Sequence, residues 1–94
     1  MLREASVTLS DVREETRQFI VQTFLFGQAL ELGDDASLLG NGIIDSTGVL
    51  ELVTHLEAVY SIKVADNELL PENFDSIDAI ATYLARKTGE VVGG

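Results

Sequence analysis

Asp45-Ser46-Thr47-Gly48-Val49-Leu50-Glu51-Leu52-Val53 is the point where a loop becomes a helix. Gly40-Asn41-Gly42-Ile43-Ile44, just before it, carries the glycines of irregular backbone, and from Val49 onward apolar residues recur at helical spacing. Asp45 suits the N-cap, accepting a hydrogen bond from a backbone N–H of the first turn. Ser46 then stands exposed at the helix N-terminus. The unpaired N–H groups and the positive dipole end there stabilise any anion attached to its hydroxyl. A DS pair is by itself an ordinary helix start, so its surroundings decide what it means.

The helix that starts at Ser46 is expected to reach about Tyr60, roughly 22 Å at 1.5 Å per residue. Val49, Leu52, Val53, Leu56, Val59 and Tyr60 form its inward stripe. Leu50 falls outside that stripe, on the side shared by Ser46, Thr54 and Glu57, with Thr47 and Glu51 nearby. An apolar residue beside the serine and off the core side points to a small contact surface.

Working outward, a first helix is expected from about Ser10 to Phe26. Val12, Thr16, Phe19, Ile20 and Thr23 lie on one side and Gly27 provides a stop. Val21 and Leu25 lie off that stripe, which predicts burial on more than one side. Gly27 to Ile44 is a long connection. Leu30, Leu32, Leu38, Leu39, Ile43 and Ile44 are available to tie it down, so it reads as an ordered loop. After an irregular Ser61-Ile62-Lys63-Val64, Asp66 or Asn67 begins a short helical segment, and Pro71 starts another turn through Phe74. Asp75 or Ser76 caps a last helix, with Asp78 as a reciprocal cap; Ile77, Ile80, Ala81 and Leu84 face inward and Gly89 ends it. The tail from Glu90 to Gly94 is expected to fray. These elements predict an all-α fold: a single domain over residues 1–94, built as a small four-helix bundle of three longer helices and one short one, with a long loop between helices one and two.

Composition narrows the function. The formal charge is -10, and Lys63 is the only Lys or Arg between Arg17 and Arg86. A phosphate backbone is repelled by such a surface, so nucleic acid is not an expected partner, whereas basic proteins are drawn in. With 46% hydrophobic residues, the chain reads as a folded acidic domain and not as an acidic tail. No apolar stretch is long enough to span a membrane, and no signal pattern opens the chain, so a cytoplasmic protein is expected. The absence of cysteine removes disulfides, thiolate nucleophiles and cysteine metal sites.

Two other chemistries fail on spacing. If Gly42 held the sixth position of a calcium-binding EF-hand loop, Leu39 and Gly48 would fall at the third and twelfth, where oxygen ligands are required. Nucleophilic catalysis by Ser46 needs a nearby base. His55 is the sole histidine, on roughly the opposite side of the same helix, and reads as a surface or helix-edge residue. No metal cluster and no phosphate-binding glycine motif is present, so no metal site is expected and the chain does not read as an enzyme.

Asp45-Ser46 followed by Leu50-Glu51-Leu52-Val53 and Leu56-Glu57, in a small acidic helical protein, resembles the acyl carrier proteins, a superfamily that includes peptidyl and aminoacyl carrier domains. The resemblance runs from the first helix through Pro71-Glu72-Asn73-Phe74-Asp75-Ser76-Ile77 to the last. It implies that Ser46, with Asp45 beside it, receives 4′-phosphopantetheine from coenzyme A through a phosphopantetheinyl transferase. The arm's thiol then carries an acyl or aminoacyl thioester. Implied partners are that transferase, an acyl- or aminoacyl-loading ligase, and a downstream synthase or transferase with a basic docking surface meeting Thr47, Leu50, Glu51, Thr54 and Glu57. A monomer is implied. Leu52, Leu56, Tyr60, Phe74 and Ile77 are the candidate lining of an acyl pocket. Thr47 stands where most members carry leucine or methionine, so recognition by general fatty-acid enzymes is expected to be weak. Leu70-Pro71-Glu72-Asn73-Phe74 looks more like carriers of specialised lipid, polyketide or nonribosomal-peptide-type pathways. The alternative reading is a non-catalytic acidic helical interaction module without the arm.

Overall fold

A computed structural model describes residues 7–88 and 91–92. Its elements are β1 (Val7–Thr8), α1 (Leu9–Phe24), α2 (Ser46–Tyr60), a 3-10 turn (Asp66–Glu68), α3 (Pro71–Phe74), α4 (Ile77–Thr88) and β2 (Val91–Val92). The fold is all-α, a small bundle in which α4 packs against both α1 and α3. β1 and β2 add a parallel pairing of Val7 with Val91 and Thr8 with Val92. Backbone pairing therefore holds part of the tail that sequence reading leaves frayed. Gly89, Glu90, Gly93 and Gly94 lie outside the described residues.

α1 begins earlier than its apolar pattern suggests because Thr8 and Asp11 cap it reciprocally. Asp11 N–H donates to Thr8 Oγ1 at 3.0 Å, and Thr8 N–H donates to Asp11 Oδ2 at 3.1 Å. It ends before Phe26, whose backbone turns left-handed at φ 53°, followed by Gly27 at φ 88°. Val12, Thr16 and Ile20 are buried, Phe19 is half-buried and Thr23 is exposed. In α2, Leu52, Val53 and Leu56 are buried. Val59, at the edge of the stripe in the last turn, is instead 47% exposed.

Polar side chains hold the long loop alongside its leucines. Arg17 donates to the carbonyls of Leu30 and Leu32, each at 2.9 Å, and to Asp34 Oδ1 at 2.6 Å. Leu30, Leu38 and Ile44 are buried in the core beneath. Asp75 does not cap α4. Its carboxylate accepts from Ser37 Oγ at 2.7 Å and from Leu39 N–H at 2.8 Å, across to the loop. Ser76 is the cap, its Oγ accepting from Ala79 N–H at 3.0 Å. Asp78, the expected reciprocal cap, is drawn away by the Arg13 guanidinium at 2.9 Å, which offers it a charge-assisted bond.

Candidate functional site

Ser46 is the first residue of α2, and Asp45 is its N-cap. Asp45 Oδ1 accepts from Gly48 N–H at 2.8 Å, and Asp45 carbonyl oxygen accepts from Val49 N–H at 2.9 Å. The cap is therefore complete without the serine. Ser46 is exposed, and among the described residues no hydrogen bond engages its hydroxyl. No acidic side chain lies within the first turn. An anion bonded to Ser46 Oγ would meet the N–H end of a helix of 15 residues, with the Asp45 carboxylate already occupied by a donor.

Gly48 brings this helix end close to the rest of the fold. It is buried, and a Cβ built on it would come 3.1 Å from Phe24 Cε1 and 3.2 Å from Ile44 Cβ. The C-terminal end of α1 and the N-terminal end of α2 thus meet at the serine. Phe24 also lines a groove of about 460 Å³ with Ile43, Ile44, Asp45 and Ser46.

On the α3 side, Ser46 borders a recess of about 320 Å³ walled by Leu39, Val49, Leu50, Leu69, Leu70, Pro71 and Phe74. Ser46 is the only polar residue among these. Of the five residues read from sequence as pocket lining, Phe74 reaches this recess. Leu52, Leu56 and Ile77 are fully packed in the core. Tyr60 lies elsewhere, donating to Glu15 Oε1 at 3.2 Å, and burial followed by the Glu15 charge pushes its phenol above the ordinary tyrosine range. Besides Val49 and Leu50 of α2 and Pro71, the recess takes its walls from Leu39, Leu69 and Leu70, which helical periodicity does not reach because they lie outside any long helix. The signal that could have found them is Leu69-Leu70-Pro71, an apolar pair at a helix start.

On its other side Leu50, 57% exposed, borders a second hollow with Phe19, Thr23, Thr47, Glu51, Thr54 and His55. The structure therefore brings Thr47, Leu50, Glu51 and Thr54 together beside Ser46. Glu57 is separate. Its Oε2 accepts from Val64 N–H at 2.9 Å, because the left-handed Ser61 at φ 55° turns the chain back over the helix. His55 is half-buried at the edge of α2 and is not free in solvent. Its ring stacks on Phe19 with centroids 3.8 Å apart, and Nε2 lies 2.6 Å from Glu15 Oε2, so it joins α2 to α1. Among the described residues, no group of His, Asp or Glu forms a metal-binding cluster, and no helix is long and apolar enough to cross a membrane.

No protein-family model and no curated protein matches the chain. A solved chain does, in a crystal structure described as that of an FAD-dependent dehydrogenase. Identity is 30% and the TM-score 0.65, over 73% of this chain and 97% of the matched one. The two belong to one family of small helical domains. Those coverages make the matched chain about seventy residues long, so the likeness takes in nearly all of it.

Proposed function

We propose that this protein is a carrier of the acyl and peptidyl carrier type, holding 4′-phosphopantetheine on Ser46 and presenting an acyl or aminoacyl thioester to partner enzymes. The observation that carries this reading is the exposed, unengaged Ser46 hydroxyl at the start of α2, whose cap comes from Asp45. Modification costs the helix nothing there, and the helix end favours the phosphodiester. In the loading step Ser46 Oγ attacks the pyrophosphate of coenzyme A. The Oγ–P bond forms, the P–O bond to 3′,5′-ADP breaks, and the serine proton passes to a base of the transferase. Thioester chemistry then belongs to the arm's thiol, which suits a chain without cysteine. Ser46 is an attachment point, and this protein is not itself the enzyme.

The apolar recess bordered by Ser46 supports the same reading, since it gives the arm or a partner's side chain a surface to lie on. A loading ligase and a downstream synthase or transferase are the further partners, for a cytoplasmic monomer in a specialised lipid, polyketide or nonribosomal-peptide-type pathway. A flavin-dependent dehydrogenase is one candidate for such a downstream enzyme, suggested by the description of the matched crystal structure alone. The flavin itself is not assigned to this chain, which lacks the G-x-G-x-x-G strand-to-helix pattern of dinucleotide sites.

The test is intact-mass measurement after incubation with coenzyme A and a broad-specificity phosphopantetheinyl transferase. Wild type gains one phosphopantetheine and Ser46→Ala gains none, with helical content unchanged because Asp45 still caps α2. Modification of Ser46→Ala, or no gain by wild type with several transferases, favours an acidic interaction module without the arm.

A further inference from the structure

Phe26 is the most exposed large apolar side chain among the described residues, at 89%, and its backbone sits at φ 53°. A left-handed conformation is uncommon for any residue with a side chain and an outlier for a bulky aromatic; glycine is the usual occupant of such a helix end. Gly27, next in sequence, has the glycine geometry as well, at φ 88°. The chain is held in this shape by Gly27 N–H donating to the Val21 carbonyl and Gln28 N–H to the Leu25 carbonyl, each at 2.9 Å. The backbone thus holds a large aromatic side chain in water, in a conformation that glycine would adopt more easily. Strain kept at one point, with no packing to show for it, points to a use outside the chain.

The place of Phe26 says what that use is. It follows Phe24, which packs against Gly48 and shares a groove with Asp45 and Ser46. Three residues before it, Thr23 shares a hollow with Thr47, Leu50 and Glu51. Phe26 therefore stands at the Ser46 end of the molecule. The charged residues at that end are acidic: Asp45, which shares a groove with Phe24, and Glu51, which shares a hollow with Thr23, are exposed, and the sequence has no Lys or Arg from Gln18 to Ile62. A second copy of so acidic a chain would be repelled, and so would an anionic lipid surface.

We infer that Phe26 is a docking anchor for the phosphopantetheinyl transferase, entering an apolar pocket on that enzyme with basic groups at its rim. This rests on the carrier reading of Ser46. A phenylalanine has only two side-chain torsions to fix on binding, and its backbone is already held here, so it loses little freedom for the area it buries. Together with the acidic groups near Ser46, it gives the transferase two points of contact and so fixes the orientation in which the serine enters.

Phe26→Gly separates this role from a structural one, because glycine accepts the left-handed backbone and no packing is lost. Its thermal midpoint is expected to match or exceed wild type. Its kcat/KM for modification by a broad-specificity transferase with coenzyme A is expected to fall at least about fivefold, through KM. Phe26→Tyr restores the rate, and Val59→Ala, which trims another exposed side chain near the far end of α2, leaves it unchanged. Equal kcat/KM for Phe26→Gly and wild type overturns the inference while leaving Ser46 as the modified residue. No modification of wild type overturns both. Self-association of wild type that disappears in Phe26→Gly, seen by sedimentation, assigns the side chain to a second copy and overturns the transferase role.

Discussion

Gly48 and Phe24 meet so closely that a Cβ on the glycine would lie 3.1 Å from the ring's Cε1 atom. This approach seats the first turn of α2 on the end of α1, and Ser46 is positioned with it. Glycine within a helix ordinarily weakens it, so its presence here reflects space and not helix propensity. Gly48→Ala gains about 1 kcal/mol of propensity but loses about 1–3 kcal/mol to overpacking against Phe24 and Ile44. A net destabilisation of about 1 kcal/mol is expected in chemical denaturation. The rate of Ser46 modification should fall with it, as the serine shifts on its base. Equal or greater stability of Gly48→Ala would show that the contact yields without cost.

Thr16 offers the opposite case. It is fully buried at the centre of α1, and its hydroxyl has no hydrogen-bond partner among the described residues. Burying an unpaired hydroxyl is unfavourable, and valine has nearly the same shape. Thr16→Val is expected to raise stability by about 1 kcal/mol in urea unfolding, with the m-value unchanged. A loss of stability would mean that the hydroxyl finds a partner after all, such as a buried water.

The contrast between local and long-range signals explains what is legible in the chain. The bounds of α2 and the Asp45 cap depend on neighbours within a few residues, and the structure has both where the sequence places them. The inward faces of α1 and α4 are visible for the same reason, although Tyr83, also buried, lies off the apolar stripe of α4. Asp75, Asp78 and Glu57 mislead because their partners lie on other segments: Ser37 and Leu39, Arg13, and Val64. A carboxylate on a helix face looks solvated until the chain's return path is known. The recess beside Ser46 is hidden in the same way, as its walls come from the long loop, α2 and the Leu69-Leu70-Pro71 corner.

Glu68 joins the 3-10 turn to α4 and gives stability a defined acid dependence. Lys87 Nζ at 2.8 Å, then Ala65 N–H at 2.9 Å and Tyr83 hydroxyl at 2.9 Å, hold its carboxyl down at about 2, against an ordinary 4.5. The same arrangement pushes the Tyr83 phenol up to about 12, through burial first and the Glu68 carboxylate second. A carboxyl depressed in the folded state contributes stability that is fully present above pH 4.5 and lost as pH falls toward 2. Glu68→Gln should therefore be less stable than wild type at neutral pH, with the difference narrowing across that window. A pH-independent difference would assign the loss to packing and not to the charge.

Glu51 and Glu57 lie on the same helix, and the structure gives them different work. Glu51 is exposed beside Leu50 and Thr47, and among the described residues no hydrogen bond engages its carboxylate. Glu57 is half-buried and holds the returning chain through Val64 N–H. Exposed charges act over roughly 10 Å at 0.1 M salt, so a docking carboxylate changes mainly the association rate. Glu51→Lys is therefore expected to slow modification by the transferase several-fold at low salt while leaving the thermal midpoint in place. Added salt should slow wild type more than this variant, bringing the two rates together. Glu57→Ala is expected to lose about 1–2 kcal/mol of stability, since the Val64 N–H loses its acceptor. At temperatures where it remains folded, its modification rate should stay near that of wild type. A low-salt rate for Glu51→Lys equal to wild type would leave the acidic face as solvated surface, with transferase contact confined to Leu50, Phe26 and the loop before Ser46. A Glu57→Ala variant that keeps its stability but loses rate would instead return Glu57 to the docking surface.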